Sequence, residues 1–187
     1  MSGACGGQRE VLLTTPRFHV ESVEVAAADG TLHRREIVRH PGSVAILPMV
    51  DDGHLCLIRN FRASAGRMLV EIPAGTLEPG EDPQAAAHRE LAEETGYRAV
   101  RMDPLLACYL SPGILDERMH LFIATDLTSG PAAREPGEQI ENLVTTWDQA
   151  LRLIEEGEIQ DAKTIVGIMA YVRLPRIRTT RTDSPRG

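Results

Sequence analysis

The stretch from Gly75 to Tyr97, GTLEPGEDPQAAAHRELAEETGY, decides the fold, because it writes one complete helix and gathers several carboxylates on a single face of it. Asp82 is a natural N-cap and Pro83 suits the first helical position, where its missing N–H costs nothing. Gly96 fits the left-handed residue just past the end, so the helix is predicted over Pro83–Thr95. At 3.6 residues per turn Glu90 and Glu94 fall one turn apart on the same stripe, with Glu93 beside them. Like charges at that spacing repel by a few tenths of a kcal/mol per pair, so the arrangement makes physical sense if a cation occupies the face. Hard oxygen donors with no thiolate or imidazole alongside point to Mg²⁺ or Mn²⁺ rather than zinc.

Two further residues belong with this face. Glu81 precedes the helix on a loop bracketed by Gly75 and Gly80, and Arg89 carries a guanidinium able to clamp a neighbouring carboxylate. Gly75, Glu81, Arg89, Glu90, Leu91, Glu93, Glu94, Gly96 and Tyr97 together match, at nine positions of fixed spacing, the signature box of the Nudix hydrolases. A solvated acidic helix is the plain alternative, and it does not require that spacing.

The resemblance reaches beyond the box. The segments HPGSVAILPMVDDGHLCLIRNFR (40–62), VEIPAG (70–75) and DAKTIVGI (161–168) are similar to the ADP-ribose pyrophosphatase branch, over most of the chain from Phe18 to Tyr171. That branch carries a proline about sixteen positions past the box, and Pro112 in SPGILDER (111–118) stands at the matching place. The implied fold is α/β, an α/β/α sandwich with a mixed sheet and an N-terminal β-hairpin extension. The implied activity is Mg²⁺-dependent hydrolysis (Mn²⁺ being the other candidate) of the diphosphate bond of ADP-ribose or a related nucleoside diphosphate sugar. Other nucleotide sugars or nucleoside triphosphates form the competing substrate class, and a module that binds ADP-ribose without cleaving it forms a competing function. The intact acidic box argues against the last, and Pro112 against triphosphates.

Metal ligation is expected from Glu90 and Glu94, with Glu93 third, Glu81 as a ligand or water-orienting group, and the carbonyl of Ala74 by resemblance. Arg89 and Glu93 are expected in the catalytic cluster, with Glu81 or Glu93 the alternative base. In related pyrophosphatases a glutamate on the loop after the proline activates water, which nominates Glu117; its alternative is a solvated carboxylate paired with Arg118. Arg59, Arg62, Arg67 and Glu71 stand where the branch builds its nucleoside pocket, and Ser111, Pro112 and Gly113 complete the implied substrate set. The branch often shows QYR where this chain has Asn60-Phe61-Arg62. Phe61 is read as core rather than as a stacking surface, and Trp147 as a packing anchor.

Composition fits an enzyme of modest size. The 187 residues suit one domain better than two, and the net charge of −7 argues against a binder of nucleic-acid phosphates. No apolar run approaches membrane-spanning length, and the N-terminus lacks a secretory-type hydrophobic segment. Three cysteines without a CxxC pair read as reduced thiols in a cytoplasmic protein.

Strands are expected over Phe18–Ala26 and Leu32–Arg39 as a hairpin, Ser43–Val50 and His54–Arg59 as a second hairpin about Asp51-Asp52-Gly53, then Met68–Ile72, Ala99–Tyr109, His120–Asp126 and Asn142–Trp147. Helices are expected over Asp148–Glu156 and Ala162–Leu174. This divides the chain into a tail (1–10), N-terminal strands (11–45), a catalytic region (46–174) and a basic tail (175–187). Related proteins with such an N-terminal hairpin form homodimers that complete each other's pocket, which makes 18–39 the candidate swapped element.

Overall fold

The computed structural model describes residues 8–134 and 137–173; the basic tail expected over 175–187 and most of the expected N-terminal tail lie outside them. Two compact units are formed, one from residues up to 42 together with 108–119, the other from 43–107 and 120 onward.

The first unit is a three-stranded antiparallel sheet, β1 (Arg9–Thr14), β2 (His19–Ala26) and β3 (Leu32–Arg39), in the order β1-β2-β3. The expected hairpin is present with Val20 opposite Val38 and Val23 opposite Arg35, and β1 adds a third strand. Every residue of β1 is exposed, so the strand has no buried face to announce it by alternation. The 111–117 loop is attached to β3: the Val38 N–H donates to the Ile114 carbonyl at 2.8 Å and the Asp116 N–H to the Val38 carbonyl at 3.1 Å. Arg39 bridges the Glu21 and Asp116 carboxylates, each at 2.9 Å.

The second unit is built on β4 (Ser43–Pro48), β5 (His54–Arg62), β6 (Arg67–Glu71), β7 (Ala74–Thr76), α1 (Pro83–Thr95), β8 (Tyr97–Tyr109), β9 (Arg118–Ser129), β10 (Ile140–Thr146), α2 (Trp147–Glu155) and α3 (Ala162–Arg173), of which β8 and β9 run on into the other unit. Its sheets have the orders β7-β4-β9-β8 and β10-β5-β6. Every residue of β4 is buried, as a central strand covered on both faces requires. On one face Val44, Ile46, Met102, Phe122 and Ala124 pack against Ala86, Ala87 and Leu91 of α1. On the other, Gly167 of α3 comes close to Leu47, Leu121 and Ile72. The result is the expected α/β/α sandwich.

The turn at Asp51-Asp52-Gly53 forms, but its two strands part into different sheets after a single Met49–Leu55 bridge. Both edges of β4 are already taken, by β7 and β9, so β5 pairs with β6 and β10 instead. β7, expected as loop, is a three-residue strand with Ala45 opposite Ala74. Trp147 stacks on Tyr171 with ring centroids 4.6 Å apart, joining α2 to α3. Among the described residues no helix is long and apolar enough to cross a membrane.

Candidate active site

Helix α1 starts and stops where its sequence says. The Asp82 carboxylate accepts from the N–H groups of Gln84 and Ala85, and Gly96 takes φ 78° at the C-terminal end. With the register fixed, Ala87, Leu91 and Glu94 follow at i, i+4 and i+7, which places Glu94 on the core-facing stripe at 4% exposure. Glu90 lies beside it against Gly75, where a Cβ would collide with the Glu90 carboxylate. A side chain at 75 would therefore displace the Glu90 carboxylate.

Arg89 gathers the remaining carboxylates. Its guanidinium donates to both Glu81 oxygens at 2.9 Å, to Glu90 at 2.7 Å and to Glu93 at 3.1 Å. The Arg89 fork holds the Glu81 carboxyl below its ordinary range, and the carboxylates in turn push Arg89 further up. Glu94 has a different environment. It accepts from the Ala74 N–H at 2.9 Å, yet burial, reinforced by the charges of Glu90 and Glu138, pushes its carboxyl up to about 8. Burial also raises Glu90, with Glu93 and Glu138 adding to the effect and Arg89 opposing it.

Two carboxyls whose ionised forms are disfavoured by burial and mutual repulsion, next to a glycine cradle, suit a divalent cation. An all-oxygen donor set matches Mg²⁺ or Mn²⁺, and Mg²⁺ commonly uses one or two carboxylates with substrate phosphates. Among the described residues no three His, Cys, Asp or Glu side chains converge into a ready-made cage, because Glu81, Glu90 and Glu93 turn to Arg89.

A buried ionic network runs beneath this face. Glu71 is 1% exposed and receives the Arg62 fork at 2.8 and 2.6 Å, together with the Lys163 ammonium. Lys163 also pairs with Asp161 at 2.9 Å. Asp161 accepts from the Thr164 hydroxyl, and that oxygen accepts from the Ile72 N–H at 2.9 Å. Burial pushes the Glu71 carboxyl up, but Arg62 and Lys163 outweigh it and hold it below the usual range. Lys163, Asp161 and Thr164 were visible only as part of DAKTIVGI; the signal that would have found them is a Lys and an Asp in an otherwise apolar helix start.

Arg59 and Arg62 do not share a face. Three residues apart on β5 they point to opposite sides of the sheet. Arg59 lines a groove of about 700 Å³ with Arg67, Met68, Leu143, Gln149 and Arg152. Arg67 there donates to the Gln160 side chain. Phe61, expected in the core, is 42% exposed, because buried Asn60 takes the inward position next to it.

In the other unit Pro112 and Gly113 line a cavity of about 380 Å³ with Arg35, Arg39, Tyr109 and Asp116. The Ser111 carbonyl accepts from the N–H groups of Ile114 and Leu115, which folds the loop into a turn. Glu117 lies at its end, and its charge adds to the burial that raises the Cys108 thiol. Cys56 is buried, its thiol pushed up to about 11, and is unreactive in that state. Glu138 was not foreseen: nothing in its local sequence marks it, and it is found only by its action on Glu90 and Glu94.

A family model described as the NUDIX domain matches residues 39–166. The ADP-ribose pyrophosphatase of Bacillus subtilis is 44% identical over 159 residues, covering 84% of this chain and 84% of the relative. The methanol dehydrogenase activator of Bacillus methanolicus is 38% identical over 160 residues, covering 84% and 85%. A crystal structure of an ADP compounds hydrolase superposes with a TM-score of 0.78 over 91% of this chain and 93% of that one; at 24% identity it speaks for the fold alone.

Proposed function

Because the chain belongs to the Nudix family, we propose that it hydrolyses the diphosphate bond of ADP-ribose or a related nucleoside diphosphate sugar, with Mg²⁺ (or Mn²⁺) held at Ala74, Glu81, Glu90 and Glu94. The observation that carries the reading is the buried Glu94 carboxyl beside Glu90 and Gly75, an arrangement that costs stability unless a cation uses it. When bound, the ion supplies Lewis acidity toward the diphosphate oxygens. Water adds to one phosphorus, the bridging P–O bond breaks, and ADP-ribose with one water gives AMP and ribose 5-phosphate.

The chain's own residues then have separate tasks. Arg89 holds Glu81, Glu90 and Glu93 in place and offsets their mutual repulsion. Arg62, fixed by Glu71, offers a cation to the substrate; Arg59 and Arg67, and separately Ser111, Pro112 and Gly113, are proposed as further substrate contacts, each within its own unit. Two glutamates compete as the proton acceptor from water: Glu117, on the resemblance, and Glu138, on its electrostatic hold over Glu90 and Glu94, with Glu93 the reserve.

We further propose a cytoplasmic homodimer whose N-terminal strands (11–45) serve as the pairing element while 46–174 carries catalysis. Exposed Val11, Leu12, Leu13, Phe18 and Leu32 support it, since such side chains gain by being covered. Sedimentation of the full chain and of a chain lacking residues before Ile46 tests this; a fully active monomer refutes it. The activity is tested by product analysis over ADP-ribose, other nucleotide sugars, diadenosine polyphosphates and triphosphates with Mg²⁺. AMP and ribose 5-phosphate are expected from ADP-ribose, and cleavage confined to triphosphates refutes the assignment.

A further inference from the structure

An α-helix leaves its last four carbonyls without partners of its own, and a helix end bearing catalytic side chains is well placed only if they are satisfied. In α1 these are Ala92, Glu93, Glu94 and Thr95. Gly96 takes the first, its N–H donating to the Ala92 carbonyl at 3.0 Å. The other three are taken by one distant segment. The Ala133 N–H donates to the Glu93 carbonyl at 3.0 Å, Arg134 Nε to the Glu94 carbonyl at 2.9 Å, and Asn142 Nδ2 to the Thr95 carbonyl at 2.8 Å. Arg134 Nη2 also donates to Asn142 Oδ1 at 3.2 Å, bracing the two ends of the segment against each other. The Gly130 N–H closes the set on the Gly96 carbonyl at 2.9 Å.

The last turn of α1 has no basic residue of its own, so the positive charge that a helix C-terminus favours is brought by Arg134 from elsewhere in the chain. It is bound to the residue whose side chain matters most here, because Glu94 accepts Arg134 at its main chain and the Ala74 N–H at its carboxylate.

We propose that Arg134 is a positioning residue, which with Ala133 and Asn142 closes the carbonyl end of α1 and thereby fixes Glu94 for its task. It touches no reacting atom and acts through the Glu94 main chain. The kinetic part rests on the hydrolase reading; the placement of Glu94 does not.

The test compares Arg134→Ala and Arg134→Lys with the wild type by two readouts. The first is hydrogen exchange of the Ala74 amide in the full chain without substrate or metal, which reports whether the Glu94 carboxylate is still in place. Arg134→Ala is expected to speed it by about tenfold, and Arg134→Lys, which retains a charged donor for the Glu94 carbonyl, to restore part of the protection. The second is turnover of the substrate cleaved by the wild type. Misplacement of this kind lowers kcat of Arg134→Ala by about ten- to a hundredfold with KM nearly unchanged, and Arg134→Lys recovers part of the loss. A wild-type kcat, a loss that falls on KM instead of kcat, or unchanged Ala74 exchange in a folded Arg134→Ala chain would each overturn the proposal. Should Arg134→Ala fail to fold, Asn142→Ala removes the Thr95 bond and the brace on Arg134 and undergoes the same comparison. A wild type that cleaves no substrate defeats the hydrolase reading, while the exchange measurement still decides the placement.

Discussion

Replacing Lys163 by Met keeps the length and the apolar stem of a side chain that is 7% exposed, and removes only the ammonium between Glu71 and Asp161. A hydrogen bond to a charged group contributes about 1.5–3 kcal/mol, and breaking a buried pair outright costs about 3–5 kcal/mol. The lower range applies, because Glu71 keeps both bonds of the Arg62 fork and the more accessible Asp161 keeps Thr164. At roughly 2–4 °C per kcal/mol for a chain of this size, Tm should fall by about 5–10 °C at pH 7. Trp147, stacked on Tyr171, is the chain's only tryptophan and reports this unit by fluorescence. The pH dependence has a definite sign. Glu71 is held below its ordinary range in the folded state, so its stabilisation is present above the unfolded value of about 4.3 and is lost as pH falls through the folded one. The wild-type and Lys163→Met transitions should therefore be well separated at neutral pH and converge in acid. Equal Tm values at pH 7, or a separation that stays constant down to pH 3, would refute the reasoning.

Glu94→Gln should lower turnover by about a hundredfold or more at saturating Mg²⁺ while leaving Tm equal or higher, since it removes a buried charge; near-normal kcat would end the ligand assignment. Gly75→Ala drives a methyl into the Glu90 carboxylate and should abolish activity, whereas Gly80→Ala, at φ 77° but in open space, should cost about 1 kcal/mol of stability and little turnover. Thermal melts beside kcat separate the two, and the idea fails if both variants behave alike. Glu117→Gln should reduce kcat with KM unchanged if that carboxylate takes the proton, while Arg62→Ala should act mainly on KM; a purely affinity effect at Glu117 passes the role to Glu138.

The acidic helix was determined by its own sequence. Its N-cap, first-turn proline and left-handed glycine act within a few residues of one another, so α1 has the predicted bounds and Glu90, Glu93 and Glu94 share its face whatever else the chain does. The same holds for the bounds of β3, which begins just after the short turn at Asp29-Gly30. Tertiary structure decided the rest, because strand pairing and side-chain partners join residues far apart in the chain. It sent β4 and β5 to different sheets, extended β5 past Arg59 to Arg62 by pairing with β6, and brought Lys163 to Glu71 across 92 positions. No local pattern distinguishes Arg134 or Glu138 from surface charges. The significance of Arg134 comes from the carbonyl end of a helix some forty positions earlier, whose unpaired groups only a folded chain can bring within reach of a distant donor.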